Sequence, residues 1–187
     1  METLLEPDAG VSITHTELVD IGRRWLSTAK APTKQPWYPG WKHSALPIVV
    51  TEITEWESPD VIGWQSNQSW LIECKVSRSD FFADKKKPFR IRPEDGMGQR
   101  RFFLTPQGLV KPEELPPQWG LLETNGKRVK VIQDCGFFKV YNWKSEMRIL
   151  QSILLRANID PGRCMSLRPF IYESKNRTSL TLSESEA

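Results

Sequence analysis

The chain has 187 residues, of which 39% are hydrophobic and 26% charged, and its net charge is +3. That length accommodates one domain with a substantial core, and the near-balanced charge gives no global signature of a nucleic-acid partner. Three widely spaced cysteines (Cys74, Cys135, Cys164) argue against a disulfide framework, and two distant histidines (His15, His43) argue against zinc or histidine-base chemistry, so neither histidine is assigned a role.

In chain order, residues 1–12 are acidic and aperiodic, and are expected to be a flexible N-terminus. A helix is predicted over about Thr14–Thr28, with Ile21 and Trp25 at helical spacing and a Thr14/Glu17 capping box at its start. A Pro/Trp-rich loop follows from Ala31 to Ser44, whose Trp37, Tyr38 and Trp41 are expected to pack over the sheet or to wall a DNA site. Strands are predicted near Leu46–Thr54, Pro59–Trp64 and Trp70–Val76, then a helix over Arg78–Lys87 that Pro88 ends. Arg101–Thr105 and Trp119–Thr124 read as further strands, and Asn125-Gly126 turns the chain into Arg128–Gln133. Trp143–Ala157 repeats Met147, Leu150 and Leu154 at helical spacing, widened by Ile149 and Ile153, as expected of a helix that covers the sheet or makes a homodimer contact. Residues 13–172 are expected to form a single domain, and the polar stretch Glu173–Ala187 a disordered tail. No signal-peptide core or membrane-length apolar run is present, which predicts a soluble cytoplasmic protein of a bacterial or infected host cell with no membrane partner.

The chemistry concentrates on one predicted hairpin. Gln65-Ser66-Asn67-Gln68-Ser69 is short and polar between two apolar runs, and a turn centred between Ser66 and Asn67 makes Asp60 and Glu73 cross-strand neighbours. Strand alternation puts Lys75 on the face of Glu73 and Cys74 on the other. A Glu and a Lys two residues apart are commonly a solvated strand face. Here they sit among Leu71, Ile72, Cys74 and Val76, where unpaired charge is costly. Two carboxylates, with the Cys74 backbone carbonyl as a further oxygen, are a donor set that suits Mg2+ or Mn2+. Lys75 is placed to orient or deprotonate a water or to hold a phosphate, and the residues alone do not choose between these roles.

Pro59-Asp60 followed by Glu73-Cys74-Lys75 resembles the PD-(D/E)xK nuclease superfamily. The continuation Val76-Ser77-Arg78-Ser79-Asp80-Phe81-Phe82-Ala83-Asp84-Lys85 resembles its MmcB-like DNA-repair branch and related phage-encoded proteins. Arg101-Phe102-Phe103-Leu104-Thr105-Pro106, Leu115-Pro116 and Gly120-Leu121-Leu122 extend the likeness, which covers roughly Glu52 to Glu123. The stretch Arg92–Gly98 departs from it, because the bacterial repair proteins have a shorter, aromatic-rich connection there. The resemblance implies a restriction-endonuclease-like α/β fold, a mixed central sheet flanked by helices with an αβββαβ core. It also implies magnesium-dependent hydrolysis of DNA, in repair, recombination or phage DNA processing. Asp60, Glu73 and Lys75 would be catalytic. Glu17 would be the acid that many members carry on the preceding helix, Glu52 a supporting acid, and Gln99 a glutamine aimed at the metal site or the DNA end.

Between Lys75 and Arg101 nine basic side chains stand against four acidic ones, a local net of +5. Arg78, Lys85, Lys86, Lys87, Arg90, Arg100 and Arg101 are therefore candidate phosphate contacts, with Gln99 beside them; a lysine-rich solvated helix end is the plain alternative. Phe81, Phe82, Phe89 and Trp70 are expected to anchor the core rather than to stack on bases. Gly96 and Gly98 lack the strand-before, helix-after setting of a phosphate-cradling loop, so no nucleotide cofactor is expected. The competing functional class is a catalytically silent nuclease fold that binds DNA or a protein of the host nucleic-acid machinery.

Overall fold

A computed structural model describes residues 13–28, 46–51, 57–65 and 68–157. Glu52, loop 31–44 and both chain ends, for which the sequence gives expectations, lie outside these residues. The protein is α/β, a six-stranded mixed sheet flanked by helices. Helix α1 (His15–Thr28) precedes β1 (Ile48–Thr51), β2 (Val61–Gln65) and β3 (Gln68–Cys74). Helices α2 (Arg78–Asp84) and α3 (Pro88–Ile91) lead to β4 (Arg100–Pro106), followed by β5 (Gly120–Thr124), β6 (Val129–Gln133) and α4 (Trp143–Arg156). Strands follow one another across the sheet in sequence order. The β1–β2, β2–β3 and β5–β6 pairs are antiparallel, and β3–β4 and β4–β5 parallel.

The parallel pair is the centre of the fold. Six of the seven residues in each of β3 and β4 are buried, as expected of strands covered on both faces. Leu18, Trp25, Val61, Trp70, Ile72, Phe102 and Leu104 form the core on the α1 side. Ile62, Leu71, Phe81, Phe103, Trp119, Leu121 and Ile149 form the core on the other. At Gly22 a Cβ would meet Leu104 and Val61 side chains at 3.3 Å, so the missing side chain lets α1 lie close on the sheet. The β5–β6 turn follows the expected chemistry. Gly126 has φ of 87°, and Asn125 Oδ1 accepts the N–H groups of Lys127 and Arg128.

Two elements differ from expectation. The helix after β3 stops at Asp84, where tight turns from Lys86 N–H to the Ala83 carbonyl and Lys87 N–H to the Asp84 carbonyl take over. Lys87 is extended, as a residue before proline prefers, and Pro88 opens α3 instead of merely ending α2. In α4 the buried side chains are Ser145, Glu146 and Ile149, whereas Met147 and Leu154 are 47% and 52% exposed. Glu146 sets that rotation through hydrogen bonds to the sheet end. Among the described residues no helix is long and apolar enough to cross a membrane.

Candidate functional site

Pairs running from Gln65 with Gln68 to Val61 with Ile72 fix the β2–β3 register, and Asp60 and Glu73 are the next opposed positions. Asp60 occupies a bend ahead of β2, and its Oδ2 accepts the Cys74 N–H at 2.7 Å. In an extended strand the N–H and C=O of one residue point to the same side, so the Cys74 carbonyl also faces the Asp60 side. The Cys74 thiol packs in the core beneath α1, where burial and the nearby acids raise its pKa well above the ordinary range. Lys75 returns to the Glu73 face, with Nζ 3.3 Å from Glu73 Oε2.

A buried ionic network stands behind these residues. Arg90 Nη1 lies 2.5 Å from Glu57 Oε1, its Nη2 3.1 Å from Glu73 Oε1, and its Nε 2.6 Å from Asp84 Oδ2. The guanidinium packs 4.4 Å from the Trp119 ring centroid. Asp84 Oδ1 also meets Lys75 at 3.5 Å and Lys87 at 2.6 Å. Glu57, Glu73, Lys75, Asp84 and Arg90 are all less than one-tenth exposed, so each charge relies on its neighbours. Burial pushes Glu73 up to about 7, with Asp60 and Asp84 adding to the rise and Arg90 and Lys75 opposing it. Burial alone would lower Lys75, but Glu73, Asp84, Asp80 and Asp60 outweigh it and raise the lysine pKa. Lys75 is thus a fixed cation at neutral pH, which disfavours it as a base. Asp84 is lowered, because Arg90 and Lys75 outweigh its own burial.

The donor set fits a hard divalent cation. Among the described residues no three acidic, histidine or cysteine side chains form a metal group by themselves. Magnesium, however, often takes only one or two protein carboxylates. Asp60 is partly open, at 17% side-chain exposure. Glu73 Oε1 is buried and, despite Arg90 beside it, makes no aligned hydrogen bond, which leaves acceptor capacity on the side chain. Asp60, Glu73 and the Cys74 carbonyl are the residues that would hold such an ion.

Other sequence candidates fall elsewhere. Glu17 closes the capping box, accepting the Thr14 N–H and hydroxyl at 2.8 Å each, and these hydrogen bonds lower its pKa. It lines a groove with Asn125, Gly126 and Lys127. Gln99 Oε1 accepts the Ser69 N–H at 3.3 Å, four residues along β3 from Glu73, roughly 13 Å away by strand rise. Three of the candidate phosphate contacts are internal, because Arg90, Arg100 and Arg101 are 8%, 4% and 0% exposed. Arg90 neutralises the acids described above. Arg100 lies over Trp70 and donates to Gln68, and Arg101 donates to the carbonyls of Gly98, Pro93 and Gly96. Burial lowers Arg101 to about 10. Arg78 is exposed and paired with Glu114. Lys85 lies over the Phe81 and Phe82 rings, Lys86 is exposed, and Lys87 reaches inward to Asp84. Phe81, Phe89 and Trp70 are buried as expected, while Phe82 is 40% exposed.

The sequence reading missed Glu57, gave Asp84 no role, assigned Arg90 to phosphate contact, and passed over His15, whose Nε2 lies 3.4 Å from Asp60 Oδ1. Asp84 carried a signal: three residues after Phe81, it falls on the buried face of its helix. Arg90, between Phe89 and Ile91, had an apolar setting as suggestive as that of Glu73.

No protein-family model matches the chain, and no curated protein matches it. Among solved structures it is similar to the SPO1766 protein of unknown function from Silicibacter pomeroyi, with 25% identity over 62% of this chain and 82% of that one and a TM-score of 0.44.

Proposed function

We propose that the chain is a metal-dependent nuclease that hydrolyses phosphodiester bonds in DNA, on a restriction-endonuclease-like core, in repair, recombination or phage DNA processing. The observation that carries the reading is the opposition of Asp60 and Glu73 at the ends of β2 and β3 with Lys75 on the same face. The order α1, β1–β3, α2, β4 supports it, being the αβββαβ order of that core. Mg2+ or Mn2+, held by Asp60, Glu73 and the Cys74 carbonyl, would supply an activated water and neutralise charge on the phosphate. Lys75, kept protonated by the acids around it, holds a phosphate oxygen or orients the attacking water rather than taking its proton. Arg90 and Asp84 fix Glu73 and Lys75 in place from behind. Arg78, Lys85 and Lys86 lie on the segment after β3 and supply contacts without sequence preference, whereas Lys87 is held inward by Asp84.

One observation favours a catalytically silent DNA- or protein-binding module. Glu73 is already paired with Lys75 and Arg90, and Asp60 with the Cys74 N–H and His15. Incubation with single-stranded, double-stranded and branched DNA, with and without Mg2+ or Mn2+, separates the two readings. Metal-dependent cleavage lost in both Asp60→Asn and Lys75→Ala is expected. Cleavage that persists in Asp60→Asn removes the site assignment, and DNA binding without cleavage under either metal selects the silent module.

A further inference from the structure

At the other end of β3 lies a second concavity, of about 350 Å³, that the hydrolytic reading does not use. Ser69, Leu71 and Glu73 alternate onto one face of the strand, so it shares a sheet face with the candidate active site. Trp64, Tyr141 and Trp143 are its aromatic walls, and Gln68 and Gln99 line it beside them. Its floor is fixed in advance. Glu146 Oε1 accepts the Ser69 hydroxyl at 2.9 Å and the Gly98 N–H at 2.8 Å, while Oε2 accepts the Trp64 indole N–H at 2.9 Å. Trp64 is thereby held in one orientation. Trp143, 56% exposed, forms an open wall.

The hydrogen-bonding character of the cavity follows from its neighbours. The Ser69 N–H must meet an oxygen, so Gln99 Oε1 faces it at 3.3 Å; the Arg100 Nε–H likewise fixes Gln68 Oε1 at 3.2 Å. Both glutamines spend their acceptors inside the protein and retain NH2 donors. The carboxylate of Glu146 is spent on three donors. A ligand that suits these walls is flat and aromatic and carries acceptors.

We infer that this cavity is a nucleobase subsite, which stacks one unpaired base of a single-stranded segment on Trp143, Tyr141 and Trp64 and reads its acceptors through Gln99. It deepens the nuclease reading and rests on it only for the identity of the polymer as DNA. The spacing is compatible with one strand serving both sites, since Ser69 and Glu73 are roughly 13 Å apart along β3.

The test is fluorescence anisotropy of a labelled oligothymidine with the full chain in EDTA, where cleavage does not interfere. Trp143→Ala removes an exposed stacking wall, and Gln99→Glu keeps the acceptor for Ser69 while deleting the NH2 donor. Each is expected to raise Kd roughly ten-fold, with both variants retaining the wild-type circular-dichroism spectrum. Wild-type affinity in both cavity variants, or a wild type that binds an acidic peptide and no oligothymidine, overturns the inference. If the ten-fold losses appear but no metal supports cleavage, the subsite stands and the nuclease reading falls. If Asp60-dependent cleavage is found while both cavity variants bind as wild type, the reverse holds.

Discussion

Arg90→Met is the sharpest perturbation of the buried network. Methionine keeps an unbranched apolar chain against Trp119 and Phe89 but removes the cation shared by Glu57, Glu73 and Asp84. The three acids do not suffer equally. Glu73 and Asp84 retain Lys75 at 3.3 and 3.5 Å, whereas Glu57 is left with the Met97 N–H. Removing one partner of a buried pair costs about 3–5 kcal/mol, a large share of the roughly 5–15 kcal/mol typical of a domain. At about 2–4 °C per kcal/mol the melting temperature should fall by roughly 6–20 °C.

The loss should depend on pH. A carboxyl whose pKa is raised on folding contributes stability below its unfolded pKa and loses it as pH rises through the folded value. Glu73 already behaves this way in the wild type, between 4.5 and about 7. Without Arg90, Glu73 shifts further upward, so the gap between variant and wild type should widen from pH 5 to pH 8. Urea unfolding followed by tryptophan fluorescence at the two pH values measures it. A difference below about 1 kcal/mol at pH 8, or one independent of pH, would show that water and not Arg90 solvates these acids.

Thr14→Ala should cost about 1 kcal/mol through loss of the cap, while Glu17→Gln, still able to close the capping box, should leave unfolding and metal-dependent cleavage unchanged; cleavage lost in a stable Glu17→Gln variant would return that residue to the active site. Gly98→Ala should lower the free energy of unfolding measured in urea by about 2 kcal/mol or more, because Gly98 has φ of 81° and a Cβ would stand 2.6 Å from Leu71 Cβ. Glu146→Gln places an NH2 group among three donors and should cost about 1–3 kcal/mol, with a change in Trp64 emission as the specific sign.

The hairpin register was legible because a polar pentapeptide between two apolar runs leaves one symmetric turn, and that symmetry opposes Asp60 to Glu73. The parallel pairing of β3 with β4 was less so, since a run such as Trp70–Cys74 records burial on both faces but not the direction of its neighbour. The face of α4 that meets the sheet was only partly legible, for an identifiable reason. Ranking positions by hydrophobicity favoured Met147 and Leu154, whereas the helix is rotated by a buried acid with three donors, a partnership that no periodicity encodes. Arg90 was hidden in the same way, because a basic residue that neutralises internal acids counts the same in sequence as one that meets a phosphate.

That ambiguity has a measurable consequence for DNA affinity. Of the nine basic side chains between Lys75 and Arg101, Lys75, Arg90, Arg100 and Arg101 are buried. Among the other five, Arg78 is engaged by Glu114, Lys87 by Asp84 and Arg92 by Asp95. Lys85 and Lys86 are left as the principal outward contacts of this segment, with Arg78 recruitable because its pair is exposed and weakly held. Each neutralised phosphate contributes about −0.9 to the slope of log K against log salt for duplex DNA. The segment should therefore add a slope of roughly −2 to −3, where a fully outward set of nine would add about −8. Comparing wild type with a Lys85→Ala/Lys86→Ala double variant between low and moderate salt reads this term directly, as a slope difference of about 2. If Arg100→Gln or Arg101→Gln changed the slope as much while leaving the fold intact, these guanidiniums would have to leave the core on binding, and the static charge map would be wrong for the bound state.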